Sequence, residues 1–402
     1  MQTFYSGSLR AVALVLVGGM CLVSCGKSTD PDPNATGGGL ASGMVGSNPD
    51  VPIAGQYIVV LNTPVAGATF ELRLAAVNTV ATGLLGGLGL GTLPVVTTFS
   101  DALTGFVVKN VSTAQLLLLQ NDPRVNYVHQ DGLFLFSPMP APPPPSQPAQ
   151  EIPYGITRVG GAGDGTGKTA WVIDTGIDYT HPDLLVNQSL SRSFVSGTTS
   201  ANDDNGHGSH VAGTIGARNN NIGVVGVAAG CTLVAVKVLN AQGSGAISGV
   251  IQGIDYVAAT ARPGQVANLS LSGSVYQALD DAVVNLAAKG VYVTVAAGNA
   301  SASSTTASPA RANGVNLYTV SAMDRNNAFA SFSNYGNPPI DWCEPGVDIK
   351  STYKNGTYQT LSGTSMAAPH LAGILLMRGG TVVTDGNVVG DRDGIADKIG
   401  RR

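Results

Sequence analysis

The chain has few charged and few aromatic side chains. Only 11% of its 402 residues are Asp, Glu, Lys or Arg, and aromatic residues make up 6%. The net charge is -4, and neither a basic stripe nor a run of like charge occurs. Nothing therefore indicates binding to nucleic acid or to an anionic surface, because both depend on clustered cations. Glycine is abundant instead, with 53 residues, which suits a compact, turn-rich fold.

Long apolar runs are missing beyond the N-terminus, which argues against a membrane-spanning helix there. In the first 24 residues Arg10 precedes the apolar run 11–17, a pattern typical of an export signal. The following Leu22-Val23-Ser24-Cys25 resembles the bacterial lipobox, which implies lipidation of Cys25 after signal cleavage. A free cysteine behind an ordinary signal peptide and a short membrane anchor are the alternatives. We expect an extracytoplasmic protein whose precursor is anchored by lipid at the bacterial cell envelope. Maturation could then release the mature protein from the membrane.

Cysteine is scarce, with four residues in all. Cys21 belongs to the predicted signal and Cys25 would carry lipid, so Cys231 and Cys343 remain. Outside the cytoplasm these two can pair. They can equally remain buried thiols that pack like small apolar side chains, and the sequence favours neither alternative.

Two stretches of biased composition divide the chain. Residues 25–52 are rich in Gly, Pro, Ser and Asn and predict a flexible tether. Residues 137–148 contain four consecutive prolines and predict a stiff, exposed linker. Between them, residues 53–136 predict a small α+β domain with the following signals. The strands are Gln56–Leu61, Leu103–Val108 and Arg124–Val128, and the helix is Ala114–Gln120.

From residue 149 onward, short apolar runs alternate with helical stretches. The strand signals are Thr169–Ile173, Thr232–Leu239, Gln265–Leu271, Val291–Ala296 and Leu317–Ser321. Such alternation predicts an α/β fold, with a parallel sheet between two helical layers, over residues 149–402. In sheets of this kind, reactive groups gather at the carboxyl ends of the strands.

Three polar residues lie where this rule places chemistry. Asp174 follows the buried run Trp171-Val172-Ile173, His207 is flanked by glycines before a helical stretch, and Ser365 begins a helix. A serine hydroxyl is a weak nucleophile, so an imidazole must accept its proton and a carboxylate must orient that imidazole. Each phrase alone is more often a structural turn or cap. Together, in the order Asp, His, Ser, they predict a catalytic triad.

The phrases around the triad are similar to the three active-site signatures of the subtilase family, over about residues 152–373. They read Asp174-Thr175-Gly176, Gly206-His207-Gly208-Ser209-His210-Val211-Ala212-Gly213 and Gly363-Thr364-Ser365-Met366-Ala367. Ser209 replaces the threonine usual in the family and keeps its hydroxyl. The resemblance implies a secreted serine endopeptidase of subtilisin type, with a three-layer α/β catalytic domain.

The same resemblance implies an oxyanion donor and two walls of a substrate pocket. Asn299 would donate its side-chain N–H, and Ser365 its backbone N–H, to the tetrahedral intermediate. One wall would be Ser270, Leu271, Ser272 and Gly273, and the other Ala296, Ala297 and Gly298. Small residues on both sides predict an open, apolar pocket. Ser272 stands where the family usually has glycine and narrows or redirects its wall.

A structural calcium ion is a further expectation from the family. Hard oxygen ligands in a loop suit this cation. The implied ligands are the side chains of Gln150, Asp183 and Asn220 and the carbonyls of Arg218, Ile222 and Val224. An asparagine-rich surface turn is the alternative.

Residues 53–136 resemble the inhibitory prodomain of subtilisin-like proteases, which implies an autoprocessed zymogen. The strongest matches are Tyr57-Ile58-Val59-Val60, Gly105-Phe106 and Asp122-Pro123-Arg124-Val125. The start of the mature enzyme would lie near Ala149, although Pro148 makes the preceding bond a poor one to cut. An unrelated α+β domain is the alternative.

The C-terminus departs from the family pattern. Residues 379–386 predict a hairpin, and Asp391–Asp397 is either half of a calcium loop or a polar turn. The expected partners are protein and peptide substrates and the chain's own prodomain, in a monomer. Rival functions are a processing peptidase limited to few proteins, an inactive scaffold or adhesin, and a surface binding lipoprotein.

Overall fold

The computed structural model describes residues 51–136, 139–144 and 147–402. The predicted signal peptide, the lipidation site Cys25 and the tether up to residue 50 lie outside the described residues, as do four linker residues. The last two tether residues already belong to the first strand. No helix within the described residues is long and apolar enough to cross a membrane.

The N-terminal unit contains an antiparallel sheet with two helices. Its elements are β1 (Val51–Leu61), α1 (Phe70–Gly87), β2 (Val95–Phe99), β3 (Gly105–Val108), α2 (Thr113–Gln120) and β4 (Val125–Leu135). The predicted strands and the helix at 114–120 appear in this list, whereas α1 and β2 gave no signal in the sequence. Side chains of β1, β3 and both helices share one apolar core, which includes Val59, Leu84, Phe106 and Leu119.

The larger unit begins after the linker and alternates strands with helices. Its first half comprises α3 (Tyr154–Arg158), β5 (Gly163–Asp164), β6 (Thr169–Asp174), β7 (Arg192–Ser193), α4 (His207–Gly216), β8 (Ala228–Ala229), β9 (Thr232–Lys237), β10 (Ser244–Ala246) and α5 (Ile247–Thr260). Its second half comprises β11 (Val266–Leu269), α6 (Gln277–Ala288), β12 (Tyr292–Ala296), β13 (Leu317–Met323), β14 (Ile340–Pro345), β15 (Ile349–Tyr353), β16 (Thr357–Leu361), α7 (Thr364–Arg378), β17 (Val383–Asn387) and β18 (Lys398–Arg401).

A nine-stranded sheet in the order β17-β18-β14-β13-β12-β11-β6-β9-β7 forms the centre of this unit. Pairing is parallel from β7 through β14 to β18. Alternate residues of β6 point to opposite faces, so Trp171 packs with α5 and α6 while Val172 packs with α4. The predicted three-layer α/β fold is therefore confirmed.

The C-terminal segment lengthens the sheet at one edge. Strand β18 pairs in parallel with β14 and antiparallel with β17. The predicted hairpin within 379–386 is wrong, because β17 pairs with β18 and ten residues separate the two strands. The turn between them is polar: Asp393 accepts from the N–H of Ile395 at 2.8 Å, and Asp391 accepts from that of Asp397 at 3.2 Å.

Both cysteines in the described residues are free and buried. Cys231 packs in the core beneath α4, whereas Cys343 packs with Met323, Val388 and Ile399 near the C-terminal strands. They belong to separate apolar clusters, so the buried-thiol alternative is the one the structure adopts.

A carboxyl group is buried beneath the added C-terminal strand. Glu344 on β14 is fully buried, and neither of its oxygens has a hydrogen-bond partner of good geometry within the described residues. A Cβ at Gly400 would lie 2.2 Å from Oε1, so β18 lies directly against this carboxyl. Burial raises the pKa of Glu344 well above its usual range, against the opposing charge of Arg158.

This arrangement predicts pH-dependent stability. A carboxyl whose pKa is raised on folding destabilises the fold progressively as pH rises above its unfolded pKa, because the unfolded chain then ionises more readily. The variant Glu344→Gln should therefore gain more stability over its parent at pH 8 than at pH 5. We expect the difference between the two gains in Tm to be at least about 2 °C, measured in a Ser365→Ala background to prevent autolysis. Glu71→Gln, which changes an exposed carboxyl, should show no such difference, and equal gains at both pH values would contradict the account.

Candidate active site

A carboxylate and an imidazole meet at the carboxyl end of the central strand. Strand β6 ends in Asp174, and helix α4 starts at His207 behind Gly206, whose φ of 115° favours glycine. Nδ1 of His207 lies 2.8 Å from Oδ1 and 2.9 Å from Oδ2 of Asp174. Both side chains are fully buried. The contact fixes the imidazole so that Nε2 is the nitrogen available for other chemistry.

A second carboxylate, which the sequence analysis missed, holds the start of α4. Asp203 is buried and accepts from the N–H groups of Asn205, Gly206 and Ser209, each at 2.9 Å. It also accepts from the hydroxyls of Thr175 at 2.9 Å and Ser209 at 2.6 Å. The strand end that carries Asp174 and the helix start that carries His207 are therefore tied to one group. The Asp-rich stretch before His207 could have predicted this role, because Asp commonly accepts from the first N–H groups of a helix.

Two further buried imidazoles lie on α4 and α7. Burial lowers the pKa of His210 to about 3 and that of His370 to about 4. His210 Nε2 faces the carbonyl of Ile349 at 2.9 Å, and His370 Nδ1 faces that of Met366 at 2.8 Å. Both rings are neutral structural groups that bond to the backbone.

Ser365 lies in the first turn of α7. Its Oγ donates to the carbonyl of Ser270 at 3.1 Å, and Oγ of Ser270 donates to the carbonyl of Ser365 at 2.7 Å. Nε2 of His207 is buried and has no hydrogen-bond partner within the described residues. The structure thus joins Asp174 to His207, while the Ser365 hydroxyl is turned toward Ser270 instead of the imidazole.

The amide of Asn299 is fixed beside the same helix start. Its Oδ1 accepts from the backbone N–H of Thr364 at 2.8 Å and from the Thr364 hydroxyl at 2.9 Å. A Cβ at Gly363 would lie 3.3 Å from Nδ2 of Asn299. The oxygen of the amide is therefore held by Thr364, and its nitrogen lies next to the residues that lead into Ser365. This is a suitable position for a donor to an oxyanion.

The two predicted pocket walls face each other across a narrow slot. Residues 270–273 follow β11, and residues 296–298 end β12, its parallel neighbour. The cavity between them has a volume of about 10 Å³. It is lined by Phe136, Ser272, Ala296, Gly298, Asn299, Thr364 and Ser365. Phe136 belongs to the N-terminal unit, so this volume is that of the slot with a side chain of that unit beside it.

The N-terminal unit inserts its last strand into the site. Leu135 pairs with Ser244 and Phe134 with Gly245, which joins β4 to β10 in an antiparallel ladder. The N–H of Phe136 then donates to the carbonyl of Gly243 at 3.1 Å. The ring of Phe136 stands edge-on to His207, with centroids 5.2 Å apart. The sequence did not reveal this contact, because the ladder joins segments more than 100 residues apart.

Two buried carboxylates anchor the N-terminal unit to the surface of the larger one. Asp255 of α5 accepts from the backbone N–H groups of Ser100 at 2.9 Å and of Asp101 and Ala102 at 2.6 Å. In return, Asp131 of β4 accepts from the N–H of Ser248 in the first turn of α5 at 3.0 Å. Hydrogen bonds to charged groups are stronger than neutral ones, so these contacts add specific affinity to the strand pairing.

The side chains predicted to bind calcium lie together near residue 150. Asn220 Nδ2 donates to Oδ1 of Asp183 at 2.7 Å, and Oε1 of Gln150 accepts from the N–H of Asn220. The N–H of Val224 donates to Oδ2 of Asp183 at 3.0 Å, and that of Ile222 donates to Oδ1 of Asn220 at 2.8 Å. The remaining predicted ligand residue, Arg218, donates its N–H to the carbonyl of Asp183 at 2.9 Å.

This loop offers the hard oxygen donors that calcium prefers, with one carboxylate among them. The amide of Asn220 presents its nitrogen to Asp183, so a cation there requires the amide to turn its oxygen inward. Within the described residues no group of three or more His, Cys, Asp or Glu side chains forms a metal site. The side chains that the structure brings together here, those of Gln150, Asp183 and Asn220, offer oxygen donors, which suit a calcium ion better than a transition metal.

The sequence was compared with protein-family models and with known proteins. The model described as "Subtilase family" matches residues 165–377, which is more than half of the chain. "Alkaline serine exoprotease A" of Vibrio alginolyticus is 39% identical over 337 residues, covering 81% of this chain and 60% of its own. "M-protease" of Shouchella clausii (strain KSM-K16) is 44% identical over 263 residues, or 64% of each chain. The chain thus spans less than two thirds of the length of these two relatives.

Other relatives match over a larger share of their own length. "Subtilisin BL" of Lederbergia lenta is 48% identical over 232 residues, which are 56% of this chain and 83% of that protein. The crystal structure of a cold adapted subtilisin-like serine proteinase is 38% identical, with a TM-score of 0.56, and covers 61% of this chain and 96% of that one. The chain is therefore similar to subtilisin-like proteins both in sequence and in structure.

Proposed function

Because the chain belongs to the subtilase family, we propose that it is a serine endopeptidase that cleaves proteins through an acyl-enzyme on Ser365. The observation that carries this proposal is the buried contact between Asp174 and His207, with Nε2 of the imidazole unpartnered beside the cleft. In this proposal the Ser365 hydroxyl turns from the carbonyl of Ser270 to donate to Nε2 of His207.

In this proposal each residue has one task. His207 accepts the proton of Ser365 Oγ as that oxygen attacks the scissile carbonyl, and it then donates the proton to the leaving amine. Asp174 keeps the imidazole oriented and stabilises its cation. The backbone N–H of Ser365 and Nδ2 of Asn299 donate to the oxyanion, and the loss of one such donor typically costs about 100- to 1000-fold in kcat. Water then cleaves the ester, with His207 again as the base.

The path of the chain through the site supports endopeptidase rather than exopeptidase action. Phe136 lies beside His207, and farther along the chain the carbonyl of Pro140 accepts from the hydroxyl of Tyr353 at 2.8 Å. The ring of Tyr353 lies against Gly206, next to the catalytic helix start. Two internal positions of the polypeptide, Phe136 and Pro140, therefore contact the region around His207, which supports cleavage within a chain.

The N-terminal unit acts, in this proposal, as an intramolecular inhibitor that is removed on maturation. Its strand β4 occupies the cleft in the manner of an added substrate strand. The similarity to the Vibrio relative is longer than residues 149–402, so it extends into this unit. Ala149 is paired with Ile222 on the loop after α4, whereas Phe136 lies at the triad. We therefore place the first cut between residues 136 and 149.

The proposed site of action is outside the cytoplasm, with the precursor held by lipid on Cys25. The signal-like N-terminus and the lipobox-like Leu22–Cys25 support this.

A processing role with few protein targets is the second candidate. A mixed-peptide cleavage screen separates the two, because scattered cuts support the degradative role. The scaffold, adhesin and binding-lipoprotein alternatives lack support, since the sequence keeps all three proposed triad residues and Asn299.

The triad proposal predicts the fate of two variants. Purified Ser365→Ala should remain a full-length precursor and fail to react with a fluorophosphonate, because the attacking oxygen is gone. Asp174→Asn should keep the fold and lower kcat by about 10⁴-fold, because the imidazole is no longer held in the productive tautomer. The wild type should mature to an N-terminus within residues 137–149, read by mass spectrometry. Equal processing of wild type and Ser365→Ala would show that another protease makes the cut.

The calcium proposal predicts a loss of stability on chelation. Gln150, Asp183 and Asn220 would hold the ion and so tie residue 150 to the loop after α4. In the Ser365→Ala background, removal of calcium from 100 times its Kd should lower Tm by about 5–10 °C. The variant Asp183→Asn should have a lower Tm that EDTA no longer changes. Asp164→Asn removes an exposed carboxylate nearby and should keep the EDTA effect, whereas an unchanged Tm in the parent would refute the site.

A further inference from the structure

We infer that Asn334 is a positioning residue for catalysis, because its side chain holds the loop that carries the oxyanion donor Asn299. This inference rests on the proposed function, in which Nδ2 of Asn299 donates to the oxyanion. Asn334 lies between β13 and β14 and is not among the residues that line the slot beside Ser365. It therefore acts through the loop and not on the substrate.

The amide of Asn334 bonds to the loop on both sides of Asn299. Its Nδ2 donates to the carbonyl of Ala297 at 2.9 Å. Its Oδ1 accepts from the backbone N–H groups of Ala300 at 3.0 Å and of Ala302 at 3.1 Å. An asparagine can make these bonds because one side chain carries both a donor and an acceptor. The backbone before and after Asn299 is thus tied to a single group.

The loop approaches Asn334 closely because residue 298 is a glycine. The backbone N–H of Asn334 donates to the carbonyl of Gly298 at 2.9 Å. A Cβ at Gly298 would lie 2.4 Å from Nδ2 of Asn334, and the φ of Gly298 is 103°. Asn334 is 3% exposed, so water is not at hand to replace its bonds to the loop. Removing its amide would leave buried backbone groups without partners, which is costly.

The segment that carries Asn334 is itself fixed to the central sheet. Oγ of Ser333 accepts from the backbone N–H of Ala322 in β13 at 3.1 Å. The N–H of Ser301 in the loop donates to the carbonyl of Phe332 at 2.9 Å, so loop and segment also pair through their backbones. Asn334 therefore transmits the position of a buried strand to the loop.

Two separate supports act on Asn299. Thr364 holds Oδ1 of its amide, with bonds of 2.8 and 2.9 Å. Asn334 holds the backbone from which that amide projects. A donor stabilises an oxyanion best when it is in place before the charge develops. Since a misplacement of about 1 Å can cost about 100-fold in rate, loss of the Asn334 amide should weaken catalysis without any contact to the substrate.

The test is a double-mutant cycle on the mature enzyme, with a tetrapeptide p-nitroanilide as substrate. Asn299→Ala removes the donor and should lower kcat by about 100- to 1000-fold. Asn334→Ala should lower kcat by about 10- to 100-fold and change KM by less than about twofold, because it weakens only transition-state binding. In the Asn299→Ala background, Asn334→Ala should change kcat by less than about twofold, because no donor is left to position.

Asn187→Ala is the matched control. Oδ1 of Asn187 accepts from the hydroxyl of Ser189 at 2.8 Å and from the N–H of Leu190 at 3.1 Å. This turn lies near Leu233 at the amino end of β9, the end of the sheet opposite the site. The variant should leave kcat unchanged even if its Tm is lower.

Variants that do not mature by themselves are cut with immobilised wild-type enzyme, which is then filtered off. Ser365→Ala treated in the same way gives the background rate. If Asn334→Ala does not fold, judged by its Tm in the Ser365→Ala background, the cycle is run with Asn334→Asp. That variant keeps the size of the side chain and an oxygen for the N–H of Ala300, and it loses the donor to Ala297. It should show the same dependence on Asn299.

The outcomes separate this inference from the proposed function. Equal losses of kcat in both backgrounds would show a general structural role for Asn334 and overturn the inference, as would a change in KM alone. Either result leaves the peptidase intact. A wild type that neither cleaves the substrate nor reacts with a fluorophosphonate would overturn the proposed function and the inference with it.

Discussion

The whole site depends on the buried contact between Asp174 and His207. The carboxylate sits at the end of a central parallel strand, and the imidazole sits at the start of a helix that packs on the same sheet. Because both groups are shielded from water, their interaction is strong and the ring has one orientation. Asp203 holds the strand end and the helix start together, so the geometry does not depend on the side chains of Asp174 and His207 alone.

In the proposed enzyme, substrate binding, inhibition and selectivity all depend on the strands and loops around the cleft. The loops after β11 and β12 supply the walls of the slot, and β10 offers an edge to which β4 adds as a further strand. The pairing of β4 with β10 uses backbone groups, so by itself it does not select one amino-acid sequence over another. Selectivity in this proposal therefore depends on the spaces that receive the substrate's side chains. The carboxylates Asp255 and Asp131 distinguish the chain's own N-terminal unit from other extended segments.

Most of the fold and the chemistry could be predicted from local sequence. Strands β6, β9, β11, β12 and β13 come from short apolar runs bounded by turn residues. Such runs predict strands because both faces of a central parallel sheet are buried. The three residues of the proposed triad could be named from the sequence because Asp174 follows such a run and His207 and Ser365 lie at helix starts. Helix α1 was missed because its Ala-, Gly- and Leu-rich sequence has no clear polar face. The insertion of Phe136 and the burial of Glu344 beneath β18 depend on strand pairings between segments distant in sequence, which local patterns do not report.

A crystal structure of the mature enzyme with a peptide boronic acid tests the central claim most directly. The account predicts a covalent bond from boron to Ser365 Oγ, with one boronate oxygen held by the backbone N–H of Ser365 and Nδ2 of Asn299. A hydrogen bond of 2.6–3.2 Å should join His207 Nε2 to the boronate or to Oγ, at about the length expected for a nucleophile and its base. A boronate bonded elsewhere, or a Ser365 hydroxyl still turned to the carbonyl of Ser270, would contradict it.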